Sequence, residues 1–341
     1  MESLTRENYF QFGNSLDNFA VTSSSLQHLH PSQGGSILRF KSYISGTDQK
    51  SESMSLDRGS LVHQYLENPE GFKMYPANKP SEAVCEVIQD VYNTILMNGV
   101  ALGTLDDHRM QIIVSAQKFR YGVGGKWTSD TILKKILEGS AYYDFLCEAD
   151  GSVMVDSGTK EILMNIMSTF ENDDELRRFI EDRPQEGVVV YKEEPILFQH
   201  EGFMCKSLLD RFEVDFEKKI VRLFDYKTTS KAVGLYMGSS VFVMNEEGEP
   251  VVSMRPGAFQ EYHTYRQLAF YQLAISAWLI QKGYDPRDFQ FGHAIIACET
   301  ISPYEVKLFY IPMTWLKKGL MEIRTCFEIL KKNVIPQQYE Y

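Results

Sequence analysis

The feature that most constrains the fold is a change of periodicity at Gly187. From there the chain runs "GVVVYKEEPILFQHEGFMCKSLLDRFEVDFEKKIVRLFDYKTT", in which short β-branched and aromatic runs are separated by polar turns. Runs of this kind predict strands joined by tight connections. The chain before Gly187 is instead periodic at helical spacing, so a mainly helical part precedes a β-rich core.

The remaining elements follow from the same patterns. Helices are predicted at about 56–67, 81–98, 130–145 and 158–181. After the β-rich run, "SSVFVMNEEGEPVVSMRPG" alternates on both sides of a polar turn and predicts a hairpin insertion near 237–256. A helix at about 262–282, two strands and a closing helix complete an α/β protein, with residues 1–187 as the helical region and 188–341 as the core.

Composition excludes several classes of protein. The net charge of −11 over 341 residues argues against a surface that coats nucleic acid non-specifically, because phosphate binding rests on lysine and arginine. No apolar run reaches the length of about 18 residues that a membrane helix needs, and the N-terminus lacks a secretory pattern, so we expect a cytoplasmic protein without membrane association. The five cysteines form no C-x2-C pair, so we expect no zinc knuckle and no iron–sulfur cluster.

Two aspartates are predicted to face each other across a hairpin. If 203–215 and 220–227 pair about a turn centred between Glu217 and Lys218, paired positions sum to 435 and Asp210 lies opposite Asp225. Like charges placed so closely are destabilising and need a cation, and carboxylate oxygens suit Mg²⁺. With a longer or asymmetric turn, both carboxylates would simply face water.

Lysine and hydrogen-bonding side chains accompany this acidic pair. Lys227 lies two residues after Asp225, on the same face of a strand, where it could orient an attacking water or form only a surface ion pair. Gln267 and Tyr271 are four residues apart and share one helical face. They could hydrogen-bond to a water, a lysine or a phosphate, or be a core tyrosine and an exposed glutamine.

Further candidates lie outside the hairpin. His63 in "RGSLVHQYLENPEG" is either a packing residue or a ligand through a neutral imidazole nitrogen. Glu193 and Glu194 in "YKEEPI" open the β-rich core and are either additional acids of the site or water-facing residues. The residues alone do not choose between these alternatives.

Taken in order, "GSLVH", a later Glu-x-Pro, "CKSLLD", "DYKTT" and "QLAFY" resemble the PD-(D/E)xK nuclease superfamily, and specifically its RecE-like and RecB-like phage-type exonucleases. The resemblance spans roughly residues 21 to 312. It implies a restriction-endonuclease-like core, that is, a mixed central sheet flanked by helices. Two departures are the hairpin insertion, which lengthens the spacing between D-x-K and Q-x-x-x-Y, and the missing cysteine cluster of the iron–sulfur relatives.

The resemblance also implies roles for individual residues. Lys227 matches the catalytic lysine, and Gln267 and Tyr271 match a helix motif that supports this lysine and contacts DNA. Residues implied to hold Mg²⁺, or Mn²⁺ in its place, are His63, Asp210, Asp225, the carbonyl of Tyr226, and one of Glu193 and Glu194, of which Glu194 is preferred because it adjoins Pro195.

The implied function is a metal-dependent exonuclease of the RecE type. It would resect linear double-stranded DNA, in the 5′ to 3′ direction by expectation, and leave 3′ single-stranded tails for a single-strand annealing protein in recombination. Processive members of the family form rings, so a homo-oligomer is implied as well. An endonuclease or single-strand nuclease of the same superfamily, or a non-catalytic DNA-end-binding subunit, remains open.

One basic segment could contact DNA. Residues 109–129, "RMQIIVSAQKFRYGVGGKWTS", contain four cations, interleaved aromatic residues and no carboxylate, a composition suited to gripping a strand by charge and stacking. The alternative is an ordinary basic turn between helices. The predicted DNA-binding residues are Lys118, Arg120 and Lys126 of this segment, with Lys231 after the D-x-K-T-T motif.

Overall fold

The structure is a computed structural model that describes residues 4–16, 18–47, 54–67, 69–74, 80–122, 127–148, 153–181, 186–244 and 249–334. The chain forms two compact units, one of Met1–Gly59 with Ser168–Tyr341 and the other of Ser60–Met167. This division differs from the predicted boundary at residue 187, because the first 59 residues and the residues from Ser168 onward belong with the β-rich core. No helix in the described part of the chain combines the length and apolar character needed to cross a bilayer.

Helices predominate before Gly187, as the sequence predicts, although short strands that were not predicted also occur there. In chain order the strands are β1 (Asn14–Ser15), β2 (Asn18–Phe19), β3 (Phe72–Met74), β4 (Val153–Val155), β5 (Val188–His200), β6 (Phe203–Asp215), β7 (Ile220–Thr229), β8 (Ser239–Met244), β9 (Pro250–Arg255), β10 (Gln290–Glu299) and β11 (Val306–Tyr310). The α-helices are α1 (Ser23–Gln27), α2 (Ile37–Ile44), α3 (Met54–Glu67), α4 (Glu82–Met97), α5 (Arg109–Lys118), α6 (Ser129–Leu137), α7 (Ser140–Glu148), α8 (Ser157–Asn172), α9 (Asp174–Ile180), α10 (Ala258–Glu261), α11 (Thr264–Gln281) and α12 (Met313–Asn333). Short 3₁₀ turns lie at Pro31–Gln33, Pro69–Gly71, Leu105–His108, Val233–Leu235 and Pro286–Asp288.

A five-stranded sheet forms the centre of the first unit, in the order β11-β10-β7-β6-β5. β10 runs parallel to β7, and the other neighbours are antiparallel, so the sheet is mixed. Helix α11 packs on one face and α9 on the other, through Phe198 with Phe270 and through Phe179 with Phe224. The predicted α/β fold with a mixed central sheet flanked by helices is confirmed.

Side-chain alternation explains why β7 occupies the middle of this sheet. Val221 and Leu223 are fully buried on the α11 side, whereas Phe224 points to the α9 side. A strand covered on both faces is apolar nearly throughout, as "KIVRLF" is. On the α11 side, Gly319 of α12 lets the two helices approach closely, since a Cβ there would lie 2.5 Å from the Tyr265 carbonyl oxygen.

The second unit is a helical cluster. Its core contains buried side chains of α4, α5, α6 and α7, among them Val87, Ile88, Ile112 and Tyr143. The helix predicted at 81–98 corresponds to α4, and the one predicted at 56–67 to α3. The helix predicted at 130–145 is instead two helices, α6 and α7, separated around Gly139, where a Cβ would meet Ile88 at 2.7 Å.

One other predicted helix is also interrupted. The segment predicted at 158–181 is α8 followed by α9, because the Asp173 carboxylate accepts hydrogen bonds from the backbone N–H groups of Glu175 and Leu176 and so starts a new helix. The helix predicted at 262–282 is α11, preceded by the single turn of α10 and by His263, whose φ is 51°. The cap at Asp173 overrides the continuous apolar pattern of 158–181, whereas the helix predicted at 262–282 is confirmed with its start two residues later.

The predicted hairpin insertion is present as β8 and β9, which pair from Ser239 with Arg255 to Met244 with Pro250. The two strands form a separate two-stranded sheet. Its β9 strand has no buried residue, and Met244, Val252 and Met254 are exposed.

Candidate functional site

The register of the β6–β7 hairpin matches the prediction. Arg211 pairs with Phe224 and Asp215 with Ile220, so paired positions sum to 435. Continued by one residue, the same register places Asp210 opposite Asp225. Here the ladder ends, and Asp210 Oδ2 accepts a hydrogen bond of 2.9 Å from the backbone N–H of Tyr226. The two carboxyl groups therefore lie at the point where β6 and β7 separate.

A lysine ammonium lies against this acidic pair. Lys227 Nζ is 2.7 Å from Asp225 Oδ2 and donates to the Tyr226 carbonyl at 3.3 Å. The Asp225 side chain is fully buried, whereas 26% of the Lys227 side chain remains exposed. The site thus has a buried acidic floor and a cation that reaches solvent.

Burial is the strongest influence on the ionisable groups of the site. Burial raises the pKa of Asp210, although the Lys227 ammonium, the Tyr226 N–H and the neighbouring Asp225 side chain oppose this shift. Burial lowers the pKa of Lys227, but the carboxylates of Asp225 and Asp210 outweigh it and leave that pKa above its ordinary value. When both are ionised, two buried carboxylates beside one lysine carry a net negative charge that a bound cation would neutralise.

The donor atoms suit a hard divalent cation. Carboxylate oxygens of Asp210 and Asp225 and the carbonyl oxygen of Tyr226 are the ligand type that Mg²⁺ takes. Among the residues that the structure describes, no group of three or more His, Cys, Asp and Glu side chains is placed to hold a metal ion. Two carboxylates fit Mg²⁺ even so, because this ion commonly keeps waters and substrate phosphate as its remaining ligands.

The Gln267 and Tyr271 pair lies beside the acids. Gln267 Nε2 donates to the Tyr271 hydroxyl at 2.7 Å. Burial raises the pKa of Tyr271 well above its ordinary value, and the carboxylates of Asp225 and Asp210 raise it further. Tyr271 is therefore both a buried core residue and a neutral phenol next to the acidic pair.

Two residues near the site were missed from the sequence. Burial raises the pKa of Tyr236 to about 12, the Lys227 ammonium opposes the shift, and the Thr264 side chain hydrogen-bonds to the phenol. Glu299, 2% exposed, holds the segment after Lys227 by accepting from the Val233 N–H at 2.5 Å. A glutamate in the apolar run "HAIIACE" was a signal for the second; no local pattern marks the first.

An irregularity in β5 also escaped prediction. Tyr191 contacts Trp278 and Phe198 contacts Phe270, both on α11, although residues seven apart in a regular strand face opposite sides. The pairing of β5 with β6 is continuous before and after Glu193 but omits that residue, whose φ is 42°. The alternation of β5 therefore shifts by one residue at Glu193.

The same shift occurs in β6. Cys205 pairs with Phe198, and the Phe212 ring stacks on Tyr191 at 4.7 Å, so both lie on the α11 side despite their odd separation. The residue opposite Glu193 in this register is Asp210. Irregularities of this kind are common next to active sites, where they redirect a side chain.

The choice between Glu193 and Glu194 as a further acid stays a prediction. Glu193 lies opposite Asp210 in the register of β5 and β6, and it forms an ion pair with Arg6. Glu194, the preferred candidate, pairs with Leu209.

The other predicted site residues are distributed as follows. His63 lies on α3 in the second unit and is partly buried, so its role as a metal ligand stays a prediction. In the basic segment, Lys118 Nζ is 2.6 Å from Asp90 Oδ1 and Arg120 is exposed, while Lys126 lies outside the described residues. Lys231 is exposed and 3.8 Å from Glu261. Folding thus places the Asp90 carboxylate against the basic segment, which contains no carboxylate of its own. The DNA-binding roles of these residues stay predictions.

Comparisons with known proteins add little to this geometry. No protein-family model matches the chain, and no curated protein matches it. Five chains of solved structures match. One is a crystal structure from Eubacterium rectale described as "Putative exonuclease", with 10% sequence identity and a TM-score of 0.48, over 99% of this chain and 90% of that one. We draw no conclusion about activity from this likeness.

Proposed function

We propose that the protein is a metal-dependent deoxyribonuclease of the PD-(D/E)xK type that hydrolyses phosphodiesters of DNA. The observation that supports this function is the convergence of Asp210, Asp225 and Lys227 at the end of one hairpin, with the lysine ammonium 2.7 Å from an aspartate oxygen. Buried acids beside a partly exposed lysine are a costly arrangement, and perturbed groups of this kind cluster at functional sites.

The residues divide the work of hydrolysis between them. Asp210 and Asp225 would hold the cation, with the Tyr226 carbonyl as an additional oxygen ligand. When bound, Mg²⁺ supplies charge neutralisation at the phosphoryl oxygens and acidifies water. The Lys227 ammonium orients the attacking water and stabilises the charge that develops on the phosphorane. Tyr271, neutral and hydrogen-bonded to Gln267, supports this arrangement from α11.

The finer proposal is a RecE-like exonuclease. It resects linear double-stranded DNA in the 5′ to 3′ direction and leaves a 3′ tail for a single-strand annealing protein. His63 completes the metal site, Lys118, Arg120, Lys126 and Lys231 contact phosphates, and the chain assembles as a homo-oligomeric ring. The order of the five motifs supports the RecE-like activity, the ring and the role of His63, and the cationic and aromatic composition of residues 109–129 supports the phosphate contacts of that segment.

End-labelled DNA provides the test. We expect wild-type protein with Mg²⁺ to degrade linear duplex, EDTA to stop it, and Asp225→Asn to abolish it. Asp215→Asn is the matched control, because Asp215 lies at the opposite end of the same hairpin, where its carboxylate accepts from the Lys218 N–H at 2.8 Å. A 5′ against a 3′ label reports polarity, and a closed circle separates exonuclease from endonuclease. Undiminished cleavage by Asp225→Asn, or intact DNA with wild-type protein, would refute the proposal.

A further inference from the structure

An exposed aromatic side chain stands next to the proposed site. Tyr262 follows α10 and is 74% exposed. The N–H of Phe259 donates to the Tyr236 carbonyl at 3.0 Å, and Glu261 lies 3.8 Å from Lys231. Helix α10 therefore packs on the segment that follows Lys227, and Tyr262 lies at that edge. The Tyr262 phenol is close enough to contribute to the raised pKa of Tyr236, which itself adjoins Lys227.

The backbone that presents Tyr262 is strained. His263 has φ 51° and ψ 38°, a left-handed conformation that is uncommon for a residue other than glycine. The bend separates α10 from α11, so a continuous helix would place residue 262 elsewhere. Strained residues persist where the surroundings over-determine them, and they cluster at ligand-binding sites.

Side chains of two helices hold the bend. His263 Nδ1 lies 2.7 Å from the Tyr265 hydroxyl and 3.2 Å from Glu322 Oε2. The Tyr265 hydroxyl donates to Glu322 Oε1 at 2.7 Å, and Arg266 donates to Glu322 Oε2 at 3.3 Å. This network holds the backbone at His263, the residue next to Tyr262, while the Tyr262 ring itself is largely solvated.

A solvated aromatic ring beside a phosphodiester site has a specific use. Every nucleobase has a π face, so an aromatic platform binds single-stranded nucleotides without reading their sequence. We propose that Tyr262 stacks on a nucleobase of the DNA strand whose phosphodiester lies at Asp210 and Asp225. This inference rests on the proposed function and names single-stranded nucleotides at the duplex end as the group bound.

The test uses fluorescence, so that it does not depend on hydrolysis. In an Asp225→Asn background, duplexes with 2-aminopurine in a short single-stranded end are titrated with protein, and stacking quenches the fluorophore. We expect quenching to be lost in Tyr262→Ala and retained in Tyr262→Phe, with binding roughly ten- to a hundredfold weaker in the alanine variant. Tyr284→Ala is the control, because Tyr284 contacts Lys219 at the far end of β7.

The outcomes separate the two proposals. Quenching that depends on Tyr262, together with wild-type protein that cleaves no DNA in Mg²⁺, supports the stacking role and overturns nuclease activity. Cleavage by the wild type, with equal quenching by the Tyr262→Ala and parent proteins, overturns the stacking role alone. Loss of quenching in Tyr262→Phe also overturns it, since phenylalanine keeps the stacking ring. Absence of DNA binding by the Asp225→Asn protein overturns the stacking role, and overturns both proposals where the wild type also leaves DNA intact.

Discussion

Two consecutive hairpins of this chain have similar alternating sequences but opposite surroundings. The β6–β7 hairpin lies inside the central sheet between α9 and α11 and contains buried aspartate, glutamate and arginine side chains. The β8–β9 hairpin forms its own sheet, in which Met244, Val251, Val252 and Met254 are exposed. Ionisable groups are thus buried where partners surround them, while the apolar residues of the second hairpin are left in solvent. Burial, rather than alternation, decides which hairpin can support chemistry.

The largest expected effect comes from a buried ion pair in the first hairpin. Arg211 Nη2 is 3.0 Å from Glu213 Oε1, and its Nη1 donates to the Phe179 carbonyl at 3.2 Å. Arg211→Met leaves the Glu213 carboxylate buried without its closest partner. We therefore expect the free energy of unfolding, measured in urea, to fall by about 3–5 kcal/mol. The double variant Arg211→Met with Glu213→Leu should recover much of this loss.

Arg222→Met is the matched control for that prediction. Arg222 lies on the neighbouring strand, 3.9 Å from Glu213, with a third of its side chain exposed. Its removal should cost less than about 1 kcal/mol. Equal losses for Arg211→Met and Arg222→Met would show that burial does not set the strength of these pairs.

The next effect concerns activity. Lys227→Met removes the ammonium from the acidic pair, and we expect DNA hydrolysis to slow by about 10²–10³-fold, as for loss of one charge-stabilising donor in a transition state. Lys231→Met, four residues later and exposed, should change the rate severalfold at most. The measurement is single-turnover cleavage of end-labelled duplex in Mg²⁺. Similar rates for Lys227→Met and wild type would exclude the lysine from the mechanism.

Much of this first hairpin could be predicted because its determinants are local. The polar turn "FEKK" and the flanking β-branched residues set the register, and the register alone places Asp210 opposite Asp225. Asp225 and Lys227 share a face by the two-residue period of a strand. The helical spacing of Gln267 and Tyr271 likewise needs no tertiary information, and the structure shows the two side chains hydrogen-bonded.

The features that escaped prediction depend on distant parts of the chain. Asp90 is 28 residues away from Lys118 in the sequence. The segment 109–129, whose charged residues are all cations, therefore did not reveal the ion pair between them. The shift of alternation at Glu193 occurs in step with β6, and neither strand signals it alone. The first 59 residues join the β-rich unit through contacts such as Val21 with Met204 and Lys206, which no local pattern indicates.

We expect a histidine on the strand next to β7 to make the stability of the protein depend on pH. His293 of β10 is 4% exposed, its Nε2 has no hydrogen-bond partner among the described residues, and burial lowers its pKa from 6.5 to about 4. The unfolded chain takes up this proton near pH 6.5, so the stability associated with neutral His293 is complete above that pH and lost as the pH falls towards 4.

The variant His293→Leu isolates this contribution. Between pH 7 and pH 4.5, wild-type protein should lose about 2–3 kcal/mol more unfolding free energy than His293→Leu, because other titrating groups affect both proteins alike. Urea denaturation of the two proteins at both pH values gives the difference. Equal losses would show that the histidine becomes protonated within the fold.

The smallest effect on stability is expected in the second hairpin. It is tested by making the same substitution in both hairpins. Val221 of β7 is fully buried and Val252 of β9 is 62% exposed. Val221→Ser should cost about 2–3 kcal/mol, through a lost apolar contact and a buried hydroxyl, whereas Val252→Ser should change stability by less than about 0.5 kcal/mol. Urea denaturation measures both. A cost above about 1 kcal/mol for Val252→Ser that grows with protein concentration would show that this hairpin is covered in solution by another copy of the chain, because only association makes stability depend on concentration.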